Sequence, residues 1–191
     1  MPFLLWCIAY LLPFIGALLV VRKQQSLMVS IVTAHLFVLL SIVLLYIVGA
    51  RVPWQSSMYS FSFMVVSLVT ALLLLRAYGI VYVFSSAIQQ LCLLLSYLLL
   101  TSVTGPWVAM TLTALVFAVA HLINHSGWWW EVPVTFLWGI LSCLFYLWLQ
   151  DPLVNIAIHT ISGAVLISQG LLLEGLKLNM PVLKHLRPSR K

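Results

Sequence analysis

The chain has 191 residues, 64% of them hydrophobic and only 6% charged, with a formal net charge of +6. A soluble domain carries roughly 25% charged residues, so a water-facing globule is excluded and a lipid bilayer must be the solvent. Nucleic-acid binding is excluded as the reason for the positive balance. Five of the nine basic residues (Lys177, Lys184, Arg187, Arg190 and Lys191) fall in the last fifteen positions, the pattern of a cytoplasmic tail beside anionic lipid.

At roughly 20 residues per crossing, the length predicts an all-α integral membrane protein of about seven transmembrane helices, with six to eight as the range. Span 1 covers about 2–21 and stops at Arg22-Lys23. It has no basic n-region and no small-residue cleavage site, so it is expected to be a retained helix and not a removed signal. Span 2 covers about 26–50 and stops at Arg51. A short loop then places Trp54 and Tyr59 at headgroup depth, where amphipathic rings settle. Span 3, the shortest, covers about 60–75 and ends at Arg76. Span 4 covers about 78–101 and is broken at Gly105-Pro106. Span 5 covers about 107–124, span 6 about 134–149 after a loop with three tryptophans, and span 7 about 153–174 after Asp151-Pro152. Alternation puts eight of the nine basic residues on one side, with Arg51 alone opposite. This predicts the N-terminus outside and the C-terminus in the cytoplasm of a multi-pass cell membrane. The three cysteines, Cys7, Cys92 and Cys143, lie far apart in apolar runs with neither disulfide nor metal spacing.

An ionisable side chain inside a span is costly in lipid and points to function by default. His121 lies in span 5 and His159 in span 7. Phe117, His121 and His125 recur every four residues, so they share one helix face. An HxxxH pair on a helix can hold a metal or the edge of a haem, which makes His121, His125 and His159 metal candidates. The structural alternative is a histidine hydrogen-bonded to a neighbouring helix, with His125 in water at the interface. Ser162 and Gly163, one turn beyond His159, allow another helix to approach closely. Gln89 and Gln90 sit at the centre of span 4. Adjacent helical residues diverge by about 100°. If one amide faces the histidines, the other must find a second partner, since an unsatisfied polar group in lipid costs several kcal/mol. The plainer reading is interhelical glue at about 0.6 kcal/mol per contact. His35 in span 2 has no partner that the sequence can name, and its expected role is structural.

The run from about 80 to 170 resembles the CPBP family, also called Abi or CAAX-prenyl-protease-like membrane proteins. That family shows EExxxR in one span, FxxxH in the next, and a histidine followed four residues on by Asn or Asp in a later one. FAVAHL, from Phe117 to Leu122, is similar to the second motif, and IAIHTISG supplies the later histidine, His159. AIQQLCLLL, from Ala87 to Leu95, lies where the first motif belongs. The departures are chemical: the two glutamates fall on Gln89 and Gln90, the arginine on Leu94, and the Asn or Asp on Gly163. The resemblance implies a CAAX-protease-like helical bundle in which a glutamate and the histidines activate water for peptide hydrolysis. A general base must change its protonation state near working pH, which an amide cannot do, and Gly163 offers no side chain as an oxyanion donor.

These readings divide the chain into helices 1–3 at 1–76, a CPBP-like core at 77–174, and a basic cytoplasmic tail at 175–191. The first functional expectation is a catalytically inactive relative. It would use the groove formed by Gln89, Gln90, Phe117, His121, His159, Ser162 and Gly163 to bind lipid or another integral membrane protein's transmembrane helix, as an accessory or assembly subunit. The first alternative is an active endopeptidase with an altered site built on His121 and His159. The second is a haem- or metal-binding subunit. No cofactor is expected on the first reading, and zinc or haem belongs to the alternatives. By these span limits His121 lies near the inner end of its helix and His159 near the outer end of its own, so the sequence leaves open whether they share a site.

Overall fold

A computed structural model of the protein describes residues 2–21, 27–121 and 131–169, and all of its regular structure is helical. The segments are α1 (Pro2–Trp6), a π-helical turn (Cys7–Leu11), α2 (Leu12–Val21), α3 (Leu27–Ile47), α4 (Met58–Leu75), α5 (Tyr78–Thr104), α6 (Pro106–His121), α7 (Glu131–Leu149) and α8 (Pro152–Ser168). The first three run on as one rod, so the described residues form seven helical rods, where about seven spans were predicted. Four of them, at Phe3–Val20, Met58–Leu75, Tyr78–Thr104 and Val132–Leu149, are long and apolar enough to cross a membrane. The other three are shorter apolar helices. Helices are the expected solution because lipid offers backbone groups no partner outside the segment itself.

Several boundaries differ from the predicted ones for identifiable reasons. The wide turn at Cys7–Leu11 interrupts the first span just ahead of Pro13. Proline has no N–H to return to Ala9 and its ring crowds that carbonyl, and a π-turn absorbs the mismatch. The helix of span 6 begins at Glu131, so Pro133 lies inside its first turn, where a missing N–H costs nothing. The ends of predicted spans 5 and 7, together with His125, Glu174 and the basic tail, fall outside the described residues.

The element at the centre is α5. Twelve of its 27 residues are buried, against four of the 18 in α4, and it packs against α1, α3, α4, α6, α7 and α8. Around it, α6 pairs extensively with α7, and α4 with α8, while α7 and α8 touch over only a short stretch. The α6–α7 pair is close because Gly139 has no side chain. A Cβ there would stand 2.9 Å from the Ala114 Cβ, and small residues of this kind let membrane helices approach. The first rod docks on α5 through polar contacts as well as rings. Trp6 Nε1 donates to Ser96 Oγ at 2.7 Å, and the Ser96 and Thr113 hydroxyls meet at 3.2 Å.

Polar caps hold the rims. Asp151 Oδ1 accepts from the backbone N–H groups of Leu153 (2.9 Å) and Val154 (3.4 Å), capping α8. Its other oxygen accepts from Ser60 Oγ, which also closes a capping box with Ser57 at the start of α4. One carboxylate therefore clamps the N-termini of two helices. Arg51, the basic residue that falls outside by the charge rule, folds back on α3. Its guanidinium donates to the carbonyls of Tyr46 (2.6 Å) and Ala50 (2.7 Å) and lies 3.7 Å from the Tyr46 ring centroid.

Candidate functional site

A cavity of about 290 Å³ lies beside α5, with walls drawn from α3, α5, α6, α7 and α8. His35, Gln89, Phe117, His121, His159, Ser162 and Gly163 all line it, joined by Tyr82, Ser85, Thr135 and Trp138 and by aliphatic side chains of α7 and α8. His121 and His159 therefore share one site. The apparent conflict of depth disappears for two reasons. His159 lies near the middle of α8, and helical side chains lean back toward the N-terminus. The His121 ring accordingly doubles back over the preceding turn, where Nδ1 donates to the Phe117 carbonyl at 2.8 Å. Phe117 meets both imidazoles, its ring centroid 4.5 Å from that of His121 and 6.2 Å, edge-on, from that of His159. Trp138 also meets His159, edge-on at 5.6 Å.

The adjacent amides separate as their 100° offset demands. Gln90 is fully buried and turns toward α7 and α8: its Oε1 accepts from His159 Nδ1 at 2.8 Å, and its Nε2 donates to Ser142 Oγ at 2.6 Å. Gln89 turns toward α3. Its Nε2 donates to Ser85 Oγ at 3.0 Å, and the same hydroxyl lies 2.6 Å from His35 Nε2. Two short polar chains thus leave α5 in different directions, and His35 has the partner that the sequence did not name.

The tautomers follow from these contacts. A carbonyl oxygen only accepts, so His121 carries its proton on Nδ1, and His159 does the same toward Gln90. Each ring keeps Nε2 as its acceptor nitrogen. The described wall of the cavity carries no Asp, Glu, Lys or Arg. Among the described residues no three His, Cys, Asp or Glu side chains converge as a metal site. His121 and His159 contribute two imidazoles, and the third candidate, His125, is not among the described residues.

Besides Thr135, Trp138 and the aliphatic wall, three residues of this site escaped the sequence reading. Ser142 anchors Gln90. Asn155, almost wholly buried, donates from Nδ2 to the Ser142 carbonyl at 3.1 Å. It precedes His159 by four residues, a spacing that was the available signal. Tyr82 is the third. A Cβ on Gly163 would overlap the Tyr82 hydroxyl, so the bare glycine makes room on α8 for a polar group brought by α5.

Fold and site together define an integral-membrane helical bundle with a histidine-lined cavity inside it. Residues 83–165 match the family model described as Type II CAAX prenyl endopeptidase Rce1-like. That stretch holds both glutamines and both cavity histidines of α6 and α8, and over it the chain is similar to the CAAX-protease-like membrane proteins. No curated protein and no solved structure matches the chain.

Proposed function

We propose that this protein is a non-catalytic CAAX-protease-like membrane protein that binds within the bilayer, as an accessory or assembly subunit, and does not cut what it binds. The observation that carries the reading is Gln90. It occupies the hydrogen-bonding position beside His159, bridged to Ser142, and it is an amide. It orients the imidazole as a carboxylate would, but it can neither take a proton from water nor stabilise an imidazolium by its charge. Gln90 stands behind the cavity wall, which it does not line, and no described group on that wall replaces a carboxylate. The cavity volume falls just below the roughly 300–1,000 Å³ of small-ligand pockets. It has room for one side chain or a length of hydrocarbon, not for a whole helix. A partner's transmembrane segment would dock outside and insert a single side chain.

The competing reading is hydrolysis by a site built on histidine alone, and the shared cavity of His121 and His159 is what favours it. One experiment separates the two. The purified full chain is incubated in liposomes with a panel of prenylated and transmembrane peptides, and products are read by mass spectrometry beside the His159→Ala variant. The expected result is no cleavage above that of the variant. Cleavage by the native chain that His159→Ala abolishes would overturn the non-catalytic reading.

A further inference from the structure

The non-catalytic reading leaves open what fills the cavity, and the wall chemistry narrows the choice. The described wall holds no formal charge of either sign. A carboxylate or phosphate head would be desolvated there without a cation to meet it, at a cost of several kcal/mol. What the wall does offer is acceptors. The Nδ1–H of His121 is committed to Phe117, and that of His159 to Gln90. Each imidazole therefore presents Nε2 to a neighbour that carries a hydrogen. The α7 and α8 side of the wall is mostly greasy: Val134, Leu137, Leu141, Leu166 and Ile167 line it, and the hydroxyls of Thr135 and Ser162 there donate to the Val132 and Ile158 carbonyls.

The cavity also reaches the lipid. Leu137 lines it and is 58% exposed, and Val134 lines it and is 39% exposed. The α7 and α8 helices pack over only a short stretch, and α3 makes no extended packing with either of them. The way in is therefore sideways, from the bilayer.

We propose that the cavity binds an uncharged lipid with a hydroxyl head, such as a long-chain alcohol or an acylglycerol. The hydroxyl donates its single hydrogen to Nε2 of His121 or of His159, and the hydrocarbon runs out past Leu137. This rests on the non-catalytic reading, and the test keeps the two apart.

The full chain in lipid nanodiscs is exposed to a photoreactive hexadecanol, its methyl ether and the corresponding hexadecanoate, and labelled peptides are quantified. The expected result is labelling of the α7 and α8 wall by the alcohol. The ether, which has no O–H to donate, should label about fivefold more weakly, the worth of one hydrogen bond, and the carboxylate more weakly still. His121→Phe and His159→Leu should each weaken the preference for alcohol over ether, and the double variant should erase it. Leu137→Trp, at the mouth, should block all three probes, whereas Leu73→Trp, on the exposed face of α4, should leave them unchanged. A thermal transition measured for each variant separates loss of the site from loss of the fold. Equal labelling by alcohol and ether in the native chain overturns the proposal, as does labelling that survives Leu137→Trp. A membrane-protein partner that cross-links at position 137 and excludes the probes also overturns it, while leaving the non-catalytic reading intact. Histidine-dependent peptide cleavage would remove that reading instead.

Discussion

Gln90 is the residue on which the bundle's polar interior turns, because it satisfies His159 and Ser142 at once from a position without solvent access. Gln90→Leu would leave an imidazole N–H and a hydroxyl unpaired in lipid, and each such orphan costs about 1–3 kcal/mol. The variant is expected to unfold earlier than the native chain in a detergent melt, by more than Gln89→Leu does, since Gln89 is only half-buried and bonds a single hydroxyl. The divergence of the two amides was legible in advance, because helical geometry alone forbids adjacent residues from sharing a face. Their partners were not. Ser142 and Ser85 look like ordinary small polar residues in apolar runs, and only packing shows which of the many serines meets an amide. Asn155 went unread for a different reason: the family pattern directs attention to the turn after His159, and this chain carries its asparagine on the turn before.

The span-by-span reading succeeded at the level of helices because hydropathy in lipid is a strong constraint. Each of the seven apolar runs is a helical rod, and their polarity breaks mark the turns. Two features of individual helices were beyond that reading. The π-turn before Pro13 depends on how one ring meets one carbonyl, and the clamp at Asp151 depends on two distant helix starts being neighbours. From sequence, Asp151 is merely a loop residue ahead of a proline. In the structure it caps α8 and takes a hydrogen bond from Ser60 at the head of α4. Loss of an N-cap costs about 0.5–2 kcal/mol. Asp151→Ala should fall at the upper end of that range, because the Ser60 hydroxyl, buried at the same rim, loses its acceptor as well. The check is the thermal transition of the single variant against Asp151→Asn, which keeps one acceptor oxygen and should recover most of the loss.

For the molecule as a whole, the loop charges predict an orientation that can be tested directly. A cysteine in place of Gln55, between α3 and α4, is expected to react with an impermeant maleimide on intact cells. One in place of Ala77, in the α4–α5 turn, should react only after permeabilisation; the reverse pattern would invert the whole arrangement. Shared burial of two histidines that are 38 positions apart could not be seen from the chain, since it depends on where along its own axis each short helix is set. The cavity they line has a consequence for how binding should respond to its surroundings. Arg51 and Arg76 sit at helix ends, and the described cavity wall carries no ion of its own. Raising ionic strength from about 0.01 M to 1 M shrinks the Debye length from roughly 30 Å to 3 Å, yet counterions have nothing to shield inside the greasy chamber. Occupancy should therefore hold constant across that range, while any association that relies on the rim arginines fades.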